Sequence, residues 1–101
     1  MVGDEMDAVE LLRAKRNDIE RIAASHGACN VRVFGSVARG EAGPGSDIDF
    51  LIDTSPPTSP WFPAGLITDL EDLLGRKVDV VSEKALDPYL RDPILQEAIR
   101  L

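Results

Sequence analysis

The alternation of polar and apolar residues in the stretch DIDFLI constrains the fold of this chain more than any other sequence feature. Successive side chains of a β-strand point to opposite faces of its sheet. Ile48, Phe50 and Ile52 therefore share one face, while Asp47 and Asp49 share the other. Such a strand predicts a sheet whose apolar face is covered by other parts of the chain.

Helical and strand-like patterns on both sides of this stretch predict the other elements. They are a helix over 5–26 capped by Asp4 or Asp7, a strand over 30–34, a short turn or helix over 37–40, a helix over 64–75, a strand over 76–82, and a last helix capped by Asp92 with Pro93 at its first position. Gly27 and Gly75 are expected to end the first two long helices. Four prolines in residues 54–63 exclude regular structure there.

The connections between the three predicted strands indicate how the strands pair. A helix joins the second strand to the third, so these two are expected to run parallel with a right-handed crossover. A compact loop over 41–46 joins the first strand to the second, which favours an antiparallel pair. The expected fold class is therefore α/β (α+β), with a small mixed three-stranded sheet backed by helices. A length of 101 residues fits a single domain spanning 1–101.

Composition limits the classes of partner and metal that the chain can bind. The net charge is −7 and the Lys and Arg residues are scattered, so direct nucleic-acid binding is not expected. An acidic chain suits a basic protein partner instead. One cysteine and one histidine exclude an internal disulfide and a zinc site of the usual Cys/His kind, which leaves oxygen ligands for any metal ion.

The sequence gives no sign of a membrane or export signal. No apolar run approaches the ~18 residues of a membrane span, and the acidic N-terminus lacks the basic-then-apolar order of a signal peptide. A cytoplasmic location without membrane association is expected.

Asp49 and Asp79 each lie between two apolar residues of a predicted strand. An unpaired carboxylate is costly to bury, and a bound cation is the simplest compensation. If the second and third strands are neighbours, Asp79 can lie within about 5 Å of Asp47 or Asp49. Like charges ~4 Å apart repel by about 4 kcal/mol at an effective dielectric of 20. Two Mg²⁺ ions roughly 3.5–4 Å apart would offset this repulsion and clamp the oxygens of a phosphoryl transfer.

Gly35 and Ser36 end the first predicted strand and supply groups that suit a phosphate. Glycine lets the backbone approach a phosphate closely, and Ser36 offers a hydroxyl and a backbone N–H. If residues 37–40 open a helix, its N-terminal N–H groups would extend this anion site. Arg39 can pair with a triphosphate oxygen, or form only a local ion pair with Glu41 on a solvated turn.

The Gly35-Ser36 pair, followed after ten residues by Asp47-Ile48-Asp49, resembles the motif of the DNA polymerase β-type nucleotidyltransferase superfamily. The longer strings VFGSVARGE and SDID resemble its minimal nucleotidyltransferase (MNT) branch. KVDVV, which contains Asp79, matches the strand that bears the family's third carboxylate. The resemblance covers about residues 19–101. A lone Asp-x-Asp is weak evidence, but this spacing and the third aspartate after one helix make the resemblance specific.

The resemblance implies a polymerase-β-like nucleotidyltransferase fold and a particular activity. Such proteins resemble the antitoxin halves of MntA/HepT toxin–antitoxin pairs, in which the toxin is a helical HEPN ribonuclease. In that family the antitoxin inactivates the toxin by AMPylation, moving AMP from ATP onto a toxin tyrosine. For this chain the resemblance implies a Mg²⁺-dependent protein adenylyltransferase with ATP as substrate. The implied partner is a helical, basic HEPN-type toxin, and oligomers could form through that complex.

The resemblance also assigns roles to individual positions. Asp47 and Asp49 would bind both Mg²⁺ ions. Asp79 would complete the catalytic metal site and help to deprotonate the attacking hydroxyl. The motif pair Gly35 and Ser36 would hold the triphosphate, with Arg39 assisting.

Other interpretations stay open at this point. The three aspartates could be a coincidence of a turn residue, an edge-strand residue and an ion pair, or a site that binds metal without turnover. The protein could be a small-molecule nucleotidyltransferase of the aminoglycoside-modifying kind, although those enzymes carry a second helical domain. It could also be a non-catalytic antitoxin that masks its toxin, although masking needs no carboxylate triad.

Asp53 is expected to start a turn, while Trp61 and Phe62 either fold onto the core or form a docking or stacking patch.

Overall fold

The predicted strand pairing is present in the computed structural model, which describes residues 7–43 and 45–101. The strands are β1 (Ala28–Phe34), β2 (Ile48–Thr54), β3 (Val78–Ser82) and β4 (Ile99–Arg100), and they form one sheet in the order β3-β2-β1-β4. β2 runs antiparallel to β1 and parallel to β3, as expected. The sheet has four strands rather than three, because β4 adds a short antiparallel edge beside β1.

The described helices are α1 (Ala8–Ala14), α2 (Arg16–Ser25), α3 (Ala64–Leu74) and α4 (Pro88–Glu97), with a short 3-10 helix over Glu83–Ala85. The single helix expected over 5–26 is divided at Lys15, whose backbone leaves the helical region. Asp7 caps α1 by accepting a hydrogen bond from the Glu10 N–H at 2.8 Å. Asp4, the alternative cap, lies outside the described residues. No described helix has the length and apolar character needed to cross a membrane.

The start of α4 corrects the prediction that Asp92 caps the last helix. Asp87 is the cap and accepts a hydrogen bond from the Tyr89 N–H at 2.8 Å, and Pro88 occupies the first helical position. Pro93 lies inside the helix, where it removes one backbone hydrogen bond. The sequence contains two Asp-Pro pairs, and both fit the local signal for a helix start. α4 ends at Glu97, and Ile99 belongs to β4.

The apolar face of β2 forms the centre of the core, as its alternation predicts. Ile48, Phe50 and Ile52 are almost completely buried. α2 packs on β1 and α3 packs on β3, and the two helices also contact each other. Their buried side chains are Ile19, Ala23, Leu66, Leu70 and Leu74. Both helices therefore lie on one side of the sheet, and the carboxylates of β2 face the other side.

The proline-rich loop lacks regular structure but is fastened to the end of α2. The two ring nitrogens of His26 contact Ser59 Oγ at 2.6 Å and Asp69 Oδ2 at 2.7 Å. Phe62 is partly buried and packs against the core, whereas Trp61 is 88% exposed. Of the two aromatic residues, only Phe62 folds back onto the core.

Candidate functional site

Asp49 and Asp79 lie on one face of the sheet because they are partners in a parallel strand pair. In the register of β2 and β3, Asp49 is directly opposite Asp79. Asp49 is half-buried, and Asp79 is exposed. Asp47 is also exposed and precedes the first residue of β2. Strand pairing thus brings carboxylates that are thirty residues apart in the sequence to one end of the sheet.

The electrostatic environment of Asp49 indicates that the three aspartates interact. Burial raises the pKa of the Asp49 carboxyl above its ordinary value, and the negative charges of Asp79 and Asp47 raise it further. The positive charge of Arg39 opposes this shift, and the negative charge of Glu97 adds to it. Concentrated negative charge of this kind disfavours the ionised form of Asp49 and favours a bound cation.

The carboxylates do not form a closed metal cage. Among residues 7–43 and 45–101, no group of three or more Asp, Glu, His or Cys side chains is arranged to hold a metal ion. Mg²⁺ usually keeps several waters and is bound through one or two carboxylates together with substrate phosphates, rather than by a cage made only of protein groups. An open set of carboxylate oxygens beside a phosphate site therefore fits Mg²⁺ that arrives with a nucleotide.

Gly35 lies directly against the Asp49 side chain. Its φ of 73° is in the left-handed region, which disfavours residues with a Cβ. A Cβ built on Gly35 would overlap Asp49 Oδ2. The preceding residue, Phe34, is the β1 partner of Asp49 in the antiparallel pair. Glycine is thus required here by its backbone conformation and by the close approach of the carboxylate.

The segment after Gly35 is a series of turns and not a helix. The Arg39 N–H donates to the Gly35 carbonyl at 3.1 Å, and the Glu41 N–H donates to the Ser36 carbonyl at 2.8 Å. Val37 is almost fully buried and anchors the turn to the core. The helix N-terminus considered for residues 37–40 is therefore not formed by these described residues, and the candidate phosphate donors are individual groups on Gly35, Ser36 and Arg39.

Glu97 is a member of this site that the sequence did not reveal. Its carboxylate accepts hydrogen bonds from the Gly35 N–H at 2.5 Å and from Arg39 Nη1 at 2.9 Å. Arg39 Nε also donates to Glu41 Oε1 at 2.8 Å, which is the local ion pair considered above. The hydrogen bond and positive charge of Arg39 lower the pKa of Glu97, and the bonds with Glu41 and Glu97 raise the pKa of Arg39.

Asp53 belongs to an ion-pair cluster farther along β2. It lies within the strand and does not start a turn. Asp53 accepts hydrogen bonds from Arg32 at 3.0 Å and from Asn30 at 2.9 Å, and Arg32 also donates to Glu83 at 2.7 Å. The Arg32 side chain is only 10% exposed. These contacts satisfy a buried guanidinium and assign Asp53 a structural role.

Comparison with known sequences identifies relatives along most of the chain. A family model described as a nucleotidyltransferase domain matches residues 5–101. A candidate protein adenylyltransferase of Methanocaldococcus jannaschii is 38% identical over 87 residues, which cover 82% of this chain and 94% of the relative. The protein adenylyltransferase MntA of Thermococcus cleftensis is 34% identical over 90 residues, which cover 81% of this chain and 91% of the relative.

Solved structures confirm the expected fold. A candidate minimal nucleotidyltransferase has a TM-score of 0.82 and 49% sequence identity, over 97% of this chain and 99% of that chain. A crystal structure of a toxin–antitoxin with AMP-PNP has a TM-score of 0.64 and 19% identity, over 93% of this chain and 68% of that chain. At that identity the likeness concerns the fold alone. The architecture is that of a polymerase-β-like minimal nucleotidyltransferase, with a four-stranded mixed sheet backed by helices.

Proposed function

The chain belongs to the nucleotidyltransferase domain family, and on that premise we propose that it moves AMP from ATP onto a hydroxyl group of a partner protein. The observation that carries the proposal is the register pair of Asp49 and Asp79 beside the left-handed turn at Gly35. The two carboxylates would supply metal ligands, and the backbone N–H of Gly35 would donate a hydrogen bond to phosphate at the same end of the sheet. Relatives named as protein adenylyltransferases support a protein as the acceptor.

We assign the metal-binding role to the three aspartates. Asp47 and Asp49 would hold two Mg²⁺ ions, and Asp79 would complete the site of one of them. When bound, Mg²⁺ neutralises charge on the triphosphate and lowers the pKa of a hydroxyl next to it. Carboxylate oxygens are suitable ligands for this ion, and a cation would offset the burial and the nearby negative charges that raise the pKa of Asp49.

The remaining residues bind and orient the substrates. The N–H of Gly35, the hydroxyl of Ser36 and the guanidinium of Arg39 hold phosphate oxygens of ATP. The acceptor oxygen forms a bond to the α-phosphorus while the bond from that phosphorus to the bridging oxygen of pyrophosphate breaks. Asp79 receives the proton of the acceptor hydroxyl. Asp79 suits this task because its side chain is exposed, so an approaching partner can reach it.

We further propose that the acceptor is a tyrosine of a cognate HEPN-type ribonuclease toxin, so that the protein acts as an antitoxin in the cytoplasm. Two observations support this: a relative carries the name MntA, and a structural neighbour is a toxin–antitoxin with AMP-PNP. The net charge of −7 would favour association with a basic partner. Modification of the toxin, rather than simple masking, is what the carboxylate set supports.

Co-expression with the toxin followed by intact-mass measurement tests this function. We expect the toxin to gain the mass of one or more AMP units with the wild-type protein and with Asp72→Asn, a change at an exposed position of α3. The Asp47→Ala/Asp49→Ala double variant is expected to leave the toxin unmodified. If the wild-type protein and the Asp47→Ala/Asp49→Ala variant both bind and silence the toxin without modifying it, the protein is a masking antitoxin instead. AMP transfer only to small molecules would establish the small-molecule class.

A further inference from the structure

The carboxylate of Glu97 accepts hydrogen bonds from two of the three groups that we assign to triphosphate binding, Gly35 and Arg39. Glu97, the last residue of α4, is 62 positions from Gly35 in the sequence. Its Oε1 accepts the Gly35 N–H at 2.5 Å, and its Oε2 accepts Arg39 Nη1 at 2.9 Å. Each oxygen thus engages a different donor, as two oxygens of a phosphate group would.

Carboxylate and phosphate oxygens compete for such donors because both are anionic acceptors. A backbone N–H carries one proton, so the Gly35 N–H cannot make a full hydrogen bond to Glu97 and to a phosphate oxygen at the same time. A carboxylate and a triphosphate bound to the same donors would also repel each other, because both are negatively charged. Occupation of the site by Glu97 and by nucleotide is therefore mutually exclusive.

We propose that Glu97 is an internal competitor of the nucleotide, which closes the phosphate site until a triphosphate displaces its side chain. The inference rests on the proposed function, because it takes Gly35 and Arg39 as triphosphate-binding groups. Displacement exchanges one carboxylate for a triphosphate on the same donors. Glu97 thereby sets the ATP concentration at which the protein becomes loaded.

The surroundings of Glu97 allow its side chain to leave without unfolding the chain. Its side chain is 25% exposed, and the Arg39 side chain is 47% exposed, so water can replace both contacts. α4 has no buried residue, and β4 begins two residues after Glu97 and pairs with β1. The backbone on the β4 side is thus held by the sheet, and rotation about the side-chain bonds of Glu97 is enough to free the Gly35 N–H.

The test compares nucleotide binding by the wild-type protein, Glu97→Gln and Glu41→Gln. Glu41 is a matched control because it also pairs with Arg39 but makes no contact with the Gly35 N–H. The probes are AMP-PNP, inorganic tripolyphosphate and adenosine, each with Mg²⁺, measured by calorimetry. We expect Glu97→Gln to bind AMP-PNP and tripolyphosphate about tenfold more tightly, a difference of about 1.4 kcal/mol. Adenosine binding should not change, and Glu41→Gln should stay within about twofold of the wild type.

The Gly35 amide resonance gives a second readout that needs no activity. In the wild type, the loss of the carboxylate acceptor on adding tripolyphosphate should move this ¹⁵N–¹H resonance, and Glu97→Gln should show a shifted resonance before any ligand is added. An equal gain in affinity from Glu41→Gln would show that removal of one negative charge is enough to explain the tighter binding, and it would overturn the proposal. Unchanged or weaker binding by Glu97→Gln would overturn it as well. If neither the wild type nor any variant binds AMP-PNP, the proposed function fails too. If the wild type binds AMP-PNP and Glu97→Gln binds it equally well, only the role of Glu97 as a competitor is rejected.

Discussion

Asp49 of β2 and Asp79 of β3 are direct partners in a parallel strand pair, so two carboxylates share one face of the sheet at the same height. Parallel pairing fixes this relationship through the backbone, independently of any ligand. The crossover helix α3 connects the two strands and holds the register. A pair of carboxylates in this position is therefore a property of the folded chain and is present before any ligand binds.

Replacement of Asp79 should separate chemistry from folding. We expect Asp79→Asn to fold normally, because its side chain is exposed, and to reduce AMP transfer by at least about a hundredfold. Asp72→Asn, an equally conservative change at an exposed position of α3, should retain transfer. Radiolabel transfer from ATP to the purified partner measures the rate, and thermal unfolding monitors the fold. Full activity of Asp79→Asn would remove this residue from the reaction.

Gly35→Ala and Gly40→Ala form a matched pair, because both glycines have a φ of 73°. Each substitution places a Cβ in the left-handed region, at a cost of about 1–2 kcal/mol. Only at Gly35 would the Cβ also overlap Asp49, since the space around Gly40 is open. We therefore expect Gly35→Ala to be the more destabilising variant in urea unfolding and to lose AMP-PNP binding. Equal stability of the two variants would contradict the close approach of the Asp49 carboxylate.

Asp49→Asn should stabilise the protein when no metal is present. The pKa of Asp49 is raised in the folded state, so the folded chain holds this proton more tightly than the unfolded chain does. The ionised carboxylate therefore lowers the free energy of unfolding at pH values above its raised pKa, and this penalty disappears as the pH falls below the ordinary value of an aspartate.

In EDTA at neutral pH we expect the Tm of Asp49→Asn to exceed that of the wild type, with the two values converging as the pH falls below the ordinary pKa of an aspartate. Added Mg²⁺ should raise the Tm of the wild type more than that of the variant. A variant that is less stable than the wild type under both conditions would show that the carboxylate is stabilised in the fold without metal.

Two aspartates near α4 test where this helix begins. Asp87→Ala removes the side-chain acceptor of the Tyr89 N–H and should lower the free energy of unfolding by about 1 kcal/mol. Asp92→Ala lies inside the helix at an exposed position and should change stability by less than about 0.5 kcal/mol. Chemical denaturation of both variants distinguishes the two starts. A larger loss from Asp92→Ala would restore the helix start predicted from the Asp92-Pro93 pair.

Phe50→Ala should be the most destabilising of these substitutions. Phe50 is fully buried at the centre of the core, and its truncation is expected to cost about 3–5 kcal/mol. Trp61→Ala serves as the comparison, because an aromatic side chain that is 88% exposed should contribute within about 0.5 kcal/mol. Urea unfolding provides both values, and a similar loss from the two variants would contradict the described burial.

The main features of the fold could be predicted because they depend on local periodicity. The alternation in β2 gave its buried face, and the connecting helix gave the parallel pair with β3. Two features had no local signal, and the signal for the start of α4 was ambiguous. Lys15 is neither Gly nor Pro, yet the first helix is divided there. The Asp-Pro pair occurs twice near α4, and β4 is two residues long, too short to show any period.

The site was predictable where its residues form a motif and not where it depends on tertiary contact. The spacing of Gly35, Asp47 and Asp49 can be recognised in the sequence, and the strand pattern places Asp79 beside them. Glu97 reaches Gly35 from the end of a helix 62 residues later. No spacing rule connects these two positions, because the route between them passes through the whole sheet.

The contact between Gly35 and the Asp49 carboxylate also determines the order in which these two residues can be substituted during evolution. A descendant that keeps Asp49 cannot accept a larger residue at position 35 without displacing that side chain. Once Asp49 has been replaced by a smaller residue, the steric barrier at position 35 is removed and only the backbone preference remains. Relatives that lose activity should therefore replace the aspartate first and the glycine second. Sequences that keep glycine at position 35 but no longer have aspartate at position 49 would represent the intermediate step.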